Sequence, residues 1–123
     1  MKFIPFLAVA LGGAIGSVLR YSISLIPFKG AFPASTLIVN LFGALIIGFI
    51  AGFTDSQTAN KNLVLFFKTG ICGGFTTFST FSLESVMLFQ NGKAGLGIIY
   101  VVLSVAGCLL GVWAGISLSK HCG

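Results

Sequence analysis

The sequence predicts an all-α integral membrane protein of four transmembrane helices, with a break in the third helix. Of the 123 residues, 56% are hydrophobic and only 7% are charged. A soluble domain usually carries about 25% charged residues, so a chain this apolar cannot cover a globular surface with charge. A membrane helix needs about 20 apolar residues. The chain therefore has room for four spans joined by short loops in a single domain, residues 1–123.

The first predicted span covers about residues 3–26. Gly12, Gly13 and Gly16 place small residues on one face of this helix, and small residues let two membrane helices approach closely. We therefore expect this face to pack against another span. Arg20 falls near the far end of the helix, where it either anchors the span at the membrane edge or has a functional role.

The second and fourth predicted spans each carry polar groups. The second span, about residues 35–53, contains Asn40. An amide inside a membrane is costly unless it bonds to another helix or lines a wet path, and the pattern leaves both uses open. The fourth span, about residues 95–118, places Tyr100 and Ser104 one helical turn apart, where they either form a polar ladder or bond locally.

The third predicted span, about residues 63–90, has an unusual composition for a membrane helix. Its segment 70–85 holds three glycines, six hydroxyl side chains, three phenylalanines and the carboxylate of Glu84. One straight helix over the whole span would be about 42 Å long, whereas the hydrocarbon core is about 30 Å thick. A break near the Gly73-Gly74 pair would resolve this mismatch, since broken helices at membrane depth line cavities or hold ions.

Two explanations of the hydroxyl groups in this span remain open. In one, the glycines allow close packing and the hydroxyls bond to carbonyls one turn earlier. In the other, a small hydrated anion exchanges its water for neutral donors and for the positive edges of aromatic rings. The candidate donors and rings are Asn40, Phe78, Ser79, Thr80, Phe81, Tyr100 and Ser104.

The composition also excludes several function classes. We expect no enzyme, because the spans hold no histidine, no pair of carboxylates and no phosphate-binding loop. The net charge of +5 comes from too few residues to bind nucleic acid. Cys72, Cys108 and Cys122 lack metal-ligand spacing, so we expect three free thiols.

Residues 73–82 read GGFTTFSTFS, which resembles the signature of the Fluc (CrcB-like) fluoride channels, a family of small four-span membrane proteins. The other three spans carry shorter matches. These are residues 12–16 followed by Arg20 and Tyr21, residues 36–40, and Tyr100 followed by Ser104. The motif in the third span is long and specific, whereas the glycine patterns alone would be weak.

The resemblance implies a fluoride-selective channel that lets cytoplasmic fluoride leave the cell passively and so protects against fluoride toxicity. It implies an antiparallel, dual-topology homodimer embedded in the lipid of a cell membrane of the bacterial inner-membrane type. It also implies two pores and a structural sodium ion at the dimer centre, with no organic cofactor. Fluoride, membrane lipid and a second copy of the chain are therefore the expected partners.

Individual residues take roles from the same resemblance. Phe78 and Phe81 would present their ring edges to fluoride, and the carbonyls of Gly73 and Thr76 would hold the sodium ion. The expected pore donors are Asn40, Ser79, Thr80, Tyr100 and Ser104. Cys108 departs from the pattern, because it stands one turn beyond Ser104, where a hydroxyl would extend the polar track and a thiol is a weaker donor.

The main alternative is a small dual-topology, proton-coupled exporter of drugs or cations. Such a transporter needs a carboxylate within the membrane, and Glu84 is the only candidate.

The distribution of basic residues independently favours dual topology, because the two sides of the membrane differ by a single charge. Lys2, Lys61, Lys68 and Lys120 fall on the side of the termini, and Arg20, Lys29 and Lys93 fall on the other. Orientation normally follows an excess of Lys and Arg on the cytoplasmic side, so this margin predicts insertion both ways.

Overall fold

The computed structural model describes residues 2–55 and 59–122, so part of the loop predicted between the second and third spans lies outside the described residues. In these ranges the chain is helical throughout, apart from its turns and one break. The helices are α1 (Phe3–Ser24), α2 (Ala34–Asp55), α3 (Lys61–Val64), a π-helical stretch (Leu65–Cys72), α4 (Gly73–Phe75), α5 (Phe78–Gln90) and α6 (Ala94–Cys122). The all-α prediction is confirmed.

Three of these helices are long and apolar enough to cross a membrane, namely Phe3–Ser24, Ala34–Thr54 and Ala94–Cys122. The remaining span is built in two halves. Residues 61–75 form a continuous helical run, called here the first half, and α5 forms the second half. The protein is therefore a multi-pass membrane protein with a broken third span.

α1 packs against the first half of the broken span through glycines. A side chain at Gly12 would collide with the Phe66 carbonyl, and one at Gly16 would collide with the Ile71 carbonyl. Because higher residue numbers on α1 meet higher numbers on the first half, the two helices run parallel. The glycine face predicted for the first span is thus a backbone-to-backbone contact.

α2 and α6 form a second parallel pair by the same means. A side chain at Gly48 would collide with the backbone of Val112, and one at Gly52 would press on the backbone of Ile116. The second half of the broken span packs differently. There the ring of Phe89 covers Gly97, and Phe81 contacts Tyr100, so α5 and α6 run antiparallel and meet through side chains.

The break in the third span lies at Thr76 and Thr77, whose backbones are extended with ψ of 157° and 118°. The predicted break is present, and it lies two to three residues beyond the Gly73-Gly74 pair. Gly73 itself is helical, with φ −63° and ψ −39°. Gly74 is needed for packing, because a side chain there would press on the backbone of Gly13.

The break lies near the middle of the membrane. A side chain at Gly43 would collide with the Thr76 methyl group, and Gly43 is close to the midpoint of α2. Since α2 has 22 residues, it is about 33 Å long and spans the hydrocarbon core. The extended residues therefore place peptide groups that lack helical partners at a depth where water is scarce, and these groups need other partners.

Candidate functional site

Asn40 supplies the partners for one side of the break. Its Nδ2 donates to the Thr77 carbonyl at 3.1 Å, and the Thr77 N–H donates to its Oδ1 at 2.8 Å. One amide side chain thus pairs with both polar groups of an extended peptide, as a neighbouring β-strand would. Of the two uses left open for Asn40, the bond to another helix is present, and one N–H of its amide remains for a further acceptor.

Thr77 also starts the second half of the broken span. Its Oγ1 accepts a hydrogen bond from the Thr80 N–H at 3.2 Å, which is the N-cap arrangement, and it donates to the Thr80 Oγ1 at 3.1 Å. The chain can therefore restart a helix immediately after two extended residues. The Thr80 hydroxyl is half-buried and lies directly beside the break.

Aromatic rings run from the break towards the end of α5. The Phe78 and Phe81 centroids are 5.5 Å apart, and Phe81 lies 5.2 Å from Tyr100. Phe81 and Tyr100 are buried, whereas Phe78 is 77% exposed. The helix spacing of three residues places both phenylalanines on one side of α5. Phe78 is therefore an exposed apolar ring next to polar backbone.

The hydroxyl of Tyr100 donates to the Glu84 carboxylate at 2.9 Å. Glu84 therefore has a hydrogen-bond donor on the neighbouring helix. Ser104, one turn further along α6, is buried, and its Oγ makes no hydrogen bond in the structure. A buried hydroxyl normally has a partner, so this unpaired group marks a place where a polar species is expected.

Three hydroxyls bond to nearby backbone carbonyls instead, as the first of the two explanations predicts. Those of Thr76, Ser82 and Ser85 donate to the carbonyls of Cys72, Phe78 and Phe81, each one turn earlier in the chain. Each of these hydroxyls therefore has a hydrogen-bond acceptor one turn earlier in its own segment, as Ser and Thr often do in membranes. These three hydroxyls fit the packing explanation, and the anion explanation of the others stays a prediction. Ser79 is exposed beside Phe78.

The carbonyls of Gly73 and Thr76 lose their helical donors at the break. In a regular helix they would accept from the N–H groups of residues 77 and 80. Here the first of those groups donates to the Asn40 side chain and the second to the Thr77 side chain. Two carbonyl oxygens close together in the sequence are left for another ligand, and Gly73 is exposed.

Arg20 is tied to the same region. Its Nε donates to the Gly74 carbonyl at 3.1 Å, and the side chain is half-buried. This carbonyl belongs to the C-terminal turn of the first half, where a positive charge is favourable. Arg20 therefore holds α1 to the end of the first half, and its functional role stays a prediction.

Two cavities adjoin the break. One of about 250 Å³ has Asn40, Thr76, Phe78 and Cys108 in its wall. The other, of about 50 Å³, is bordered by Arg20, Thr77 and Thr80 among others. The structure thus brings Asn40, Phe78 and Cys108 around one space, while Tyr100 and Glu84 lie further along α5.

Sequence reasoning missed the role of Thr77. It stood in the motif as one hydroxyl among six, yet its peptide group is the partner of Asn40 and its side chain caps α5. The signal was available, because a threonine three residues before another polar residue at a helix start is a capping pattern. The pairing with Asn40, 37 residues earlier, could not be read from spacing.

Known proteins of one family match nearly the whole length of the chain. Residues 7–116 match the family model described as CrcB-like protein, Camphor Resistance (CrcB). The chain is 46% identical to a fluoride-specific ion channel FluC of Clostridium perfringens, covering 97% of this chain and 96% of that protein. It is 49% identical to a fluoride-specific ion channel FluC of Ruminiclostridium cellulolyticum, covering 97% and 95% respectively. A similar protein of Flavobacterium psychrophilum, again a fluoride-specific ion channel FluC, is 40% identical, covering 92% and 94%.

Proposed function

This chain belongs to the CrcB-like family, and from that premise we propose how it works as a fluoride-specific ion channel. It is a membrane channel and not an enzyme. Relatives that carry the name of fluoride-specific channel match it along nearly its full length. What remains is to assign the conduction path to residues of this chain.

We assign the path to the second half of the broken span and the facing side of α6. Fluoride is small and strongly hydrated, so a channel must replace its water as the ion passes. The ring edges of Phe78 and Phe81 and the hydroxyls of Ser79, Thr80, Tyr100 and Ser104 offer partial positive charge without a full charge. Neutral donors suit conduction, because the ion can leave them again.

The observation that carries this assignment is the unpaired Ser104 hydroxyl. It is 5% exposed and makes no hydrogen bond in the structure. One turn away the Tyr100 ring is fully buried and contacts Phe81. A hydroxyl left without a partner beside this aromatic contact is where a dehydrated anion would gain most, since a buried donor without an acceptor is costly.

A fluoride-electrode efflux assay on purified protein in liposomes tests the proposal. Fluoride should leave loaded liposomes rapidly without a proton gradient, and Ser104→Ala should slow its exit while leaving the protein folded. Rapid efflux from Ser104→Ala at the wild-type rate would remove Ser104 from the path. Proton-dependent uptake of cations would instead support the exporter, whose required carboxylate is already hydrogen-bonded to Tyr100.

The active unit we propose is an antiparallel homodimer. Phe78 is 77% exposed in a single chain, and Gly73 and Ser79 are also exposed beside the break. A second copy covering this face would enclose the rings and complete the wall of a pore. The near balance of basic residues on the two sides supports insertion in both orientations.

Forcing one orientation tests the dimer. Adding two or three lysines to the turn at Asn91 should bias insertion and abolish transport until an oppositely biased copy is coexpressed. Full activity from one orientation, verified by accessibility labelling, would contradict antiparallel assembly.

We further propose that the carbonyls of Gly73 and Thr76 hold a sodium ion at the dimer centre. Both have lost their helical donors to side chains, and carbonyl oxygens suit a monovalent cation. When bound, the ion would supply positive charge that neutralises facing carbonyls of two chains. Replacing sodium by a bulky organic cation on both sides should lower fluoride flux without unfolding the protein, and unchanged flux would contradict the site.

A further inference from the structure

An apolar groove lies between α2 and the first half of the broken span. Its volume is about 520 Å³. Its apolar wall consists of Ile46, Phe49, Ile50, Phe53, Leu63 and Phe67. Thr54 and Asn60 close the end nearer the membrane surface. The groove exists because α2 pairs with α6 while the first half pairs with α1, which leaves the two pairs apart in this region.

Two lysines on the first half directly follow residues that line the groove, Lys61 after Asn60 and Lys68 after Phe67. Lys61 and Lys68 are exposed, and their spacing of seven positions places both along one side of the helix. Lys68 lies eight residues before Thr76, so it is no more than about 12 Å from the middle of the membrane. The hydrocarbon core extends about 15 Å from its middle. The Lys68 ammonium therefore sits below the headgroups and must extend along its flexible stem to reach them.

The chain offers at most one carboxylate to these two lysines, so negative charge must also come from outside the chain. The protein has a net charge of +5 and only two acidic residues, Asp55 and Glu84. Glu84 is bonded to Tyr100 on α6. A second copy of the chain would bring the same excess of positive charge to the groove. A lipid phosphate brings the opposite charge together with an acyl chain that matches the apolar wall.

From the groove and its two lysines we infer a binding site for one anionic phospholipid. Its acyl chain lies along Ile50 and Phe53, and its phosphate bonds to Lys61 and Lys68 near the amide of Asn60. The site is separate from the conduction path, because Ile46 and Phe53 lie on the opposite side of α2 from Asn40 and Ile47. Bound lipid would fill the gap between the two helix pairs and so stabilise their arrangement.

Native mass spectrometry of the purified full-length protein with phosphatidylglycerol tests the site. Lys61→Gln combined with Lys68→Gln should weaken retention of this lipid by about tenfold or more, since both positive charges that attract the phosphate are removed. The control is Lys2→Gln combined with Lys120→Gln, which removes the same charge on the same side of the membrane. It should leave retention unchanged, and phosphatidylcholine should be retained poorly by every form.

A second variant tests the apolar part of the site. Ile50→Trp should fill the groove and displace the lipid with both lysines intact, whereas Leu109→Trp on the exposed face of α6 should not. Equal loss in both lysine pairs would show diffuse attraction and overturn the site. Photo-crosslinking from a photoreactive residue placed at Phe53 to a second copy of the chain, and not to lipid, would show that a second copy covers the groove and would also overturn it.

Discussion

The two halves of the broken span are held in place by different means. The first half, residues 61–75, meets α1 through glycines, so that backbone lies on backbone at Gly12 and Gly16. The second half, α5, meets α6 through side chains, with Phe81 against Tyr100 and Glu84 bonded to the Tyr100 hydroxyl. The comparison indicates that the first half fixes the position of the break and the second half carries the polar and aromatic groups that an ion would meet.

The largest expected effect is the loss of folding when the first half is pushed away from α1. Gly12→Val places atoms against the Phe66 carbonyl, which no side-chain rotation can relieve. We expect the free energy of unfolding in detergent to fall by about 3 kcal/mol or more, the upper range for an overpacked contact. Gly13→Val is the matched control, because a side chain there meets nothing within 4 Å. Equal stability of the two variants would contradict the tight contact.

The next largest effect is expected at the junction of the two halves. Asn40→Leu removes both bonds to the Thr77 peptide and leaves its N–H and carbonyl unpaired at membrane depth. Each unpaired buried group costs about 1–3 kcal/mol, so thermal stability in detergent and fluoride flux should both fall. Asn91→Leu, the same change in an exposed turn, should alter neither. A stable and active Asn40→Leu protein would show that the break needs no tie to α2.

The smallest expected effect concerns Cys108. It lines the cavity that also contains Asn40 and Phe78, and a thiol donates more weakly than a hydroxyl. Cys108→Ser should raise fluoride flux a few-fold, whereas Cys122→Ser at the exposed end of α6 should leave it unchanged. Unchanged flux in the serine variant would indicate that the cavity lies off the path.

The sequence predicted the helices and the existence of the break better than it predicted their contacts. Apolar runs and the excess length of residues 63–90 were sufficient for the span count and for a break. The glycine pair was a misleading guide to its position, because glycine also serves close packing, as Gly74 does against Gly13. The contact with α1, which a local sequence pattern does not show, determines that Gly74 serves close packing and not the break.

The candidate site was predictable in its residue types and less so in its geometry. The hydroxyls, rings and amide were visible in the sequence, and the resemblance of residues 73–82 to a known motif assigned them roles. Ser82 and Ser85 donate to carbonyls one turn earlier. Whether a hydroxyl makes such a local bond depends on its position in the helix and on its neighbours, which the sequence does not show. The pairing of Asn40 with Thr77 and that of Arg20 with Gly74 join distant parts of the chain, and no local pattern encodes them.

The central claim is that ring edges on the second half form part of the fluoride path, and one pair of variants tests it most directly. Phe78 and Phe6 are both 77% exposed, but Phe78 lies beside the break and Phe6 lies on α1. Replacing phenylalanine by isoleucine keeps apolar bulk and removes the ring edge. Fluoride efflux from liposomes should be compared for Phe78→Ile and Phe6→Ile, with folding checked by thermal unfolding in detergent.

Phe78→Ile should slow fluoride efflux by more than about tenfold, since even about 1.4 kcal/mol at the barrier gives that factor. Phe6→Ile should transport at the wild-type rate, and both variants should unfold at the wild-type temperature. Wild-type efflux from a folded Phe78→Ile protein, or an equal loss in both variants, would contradict the assignment of the path to the second half of the broken span.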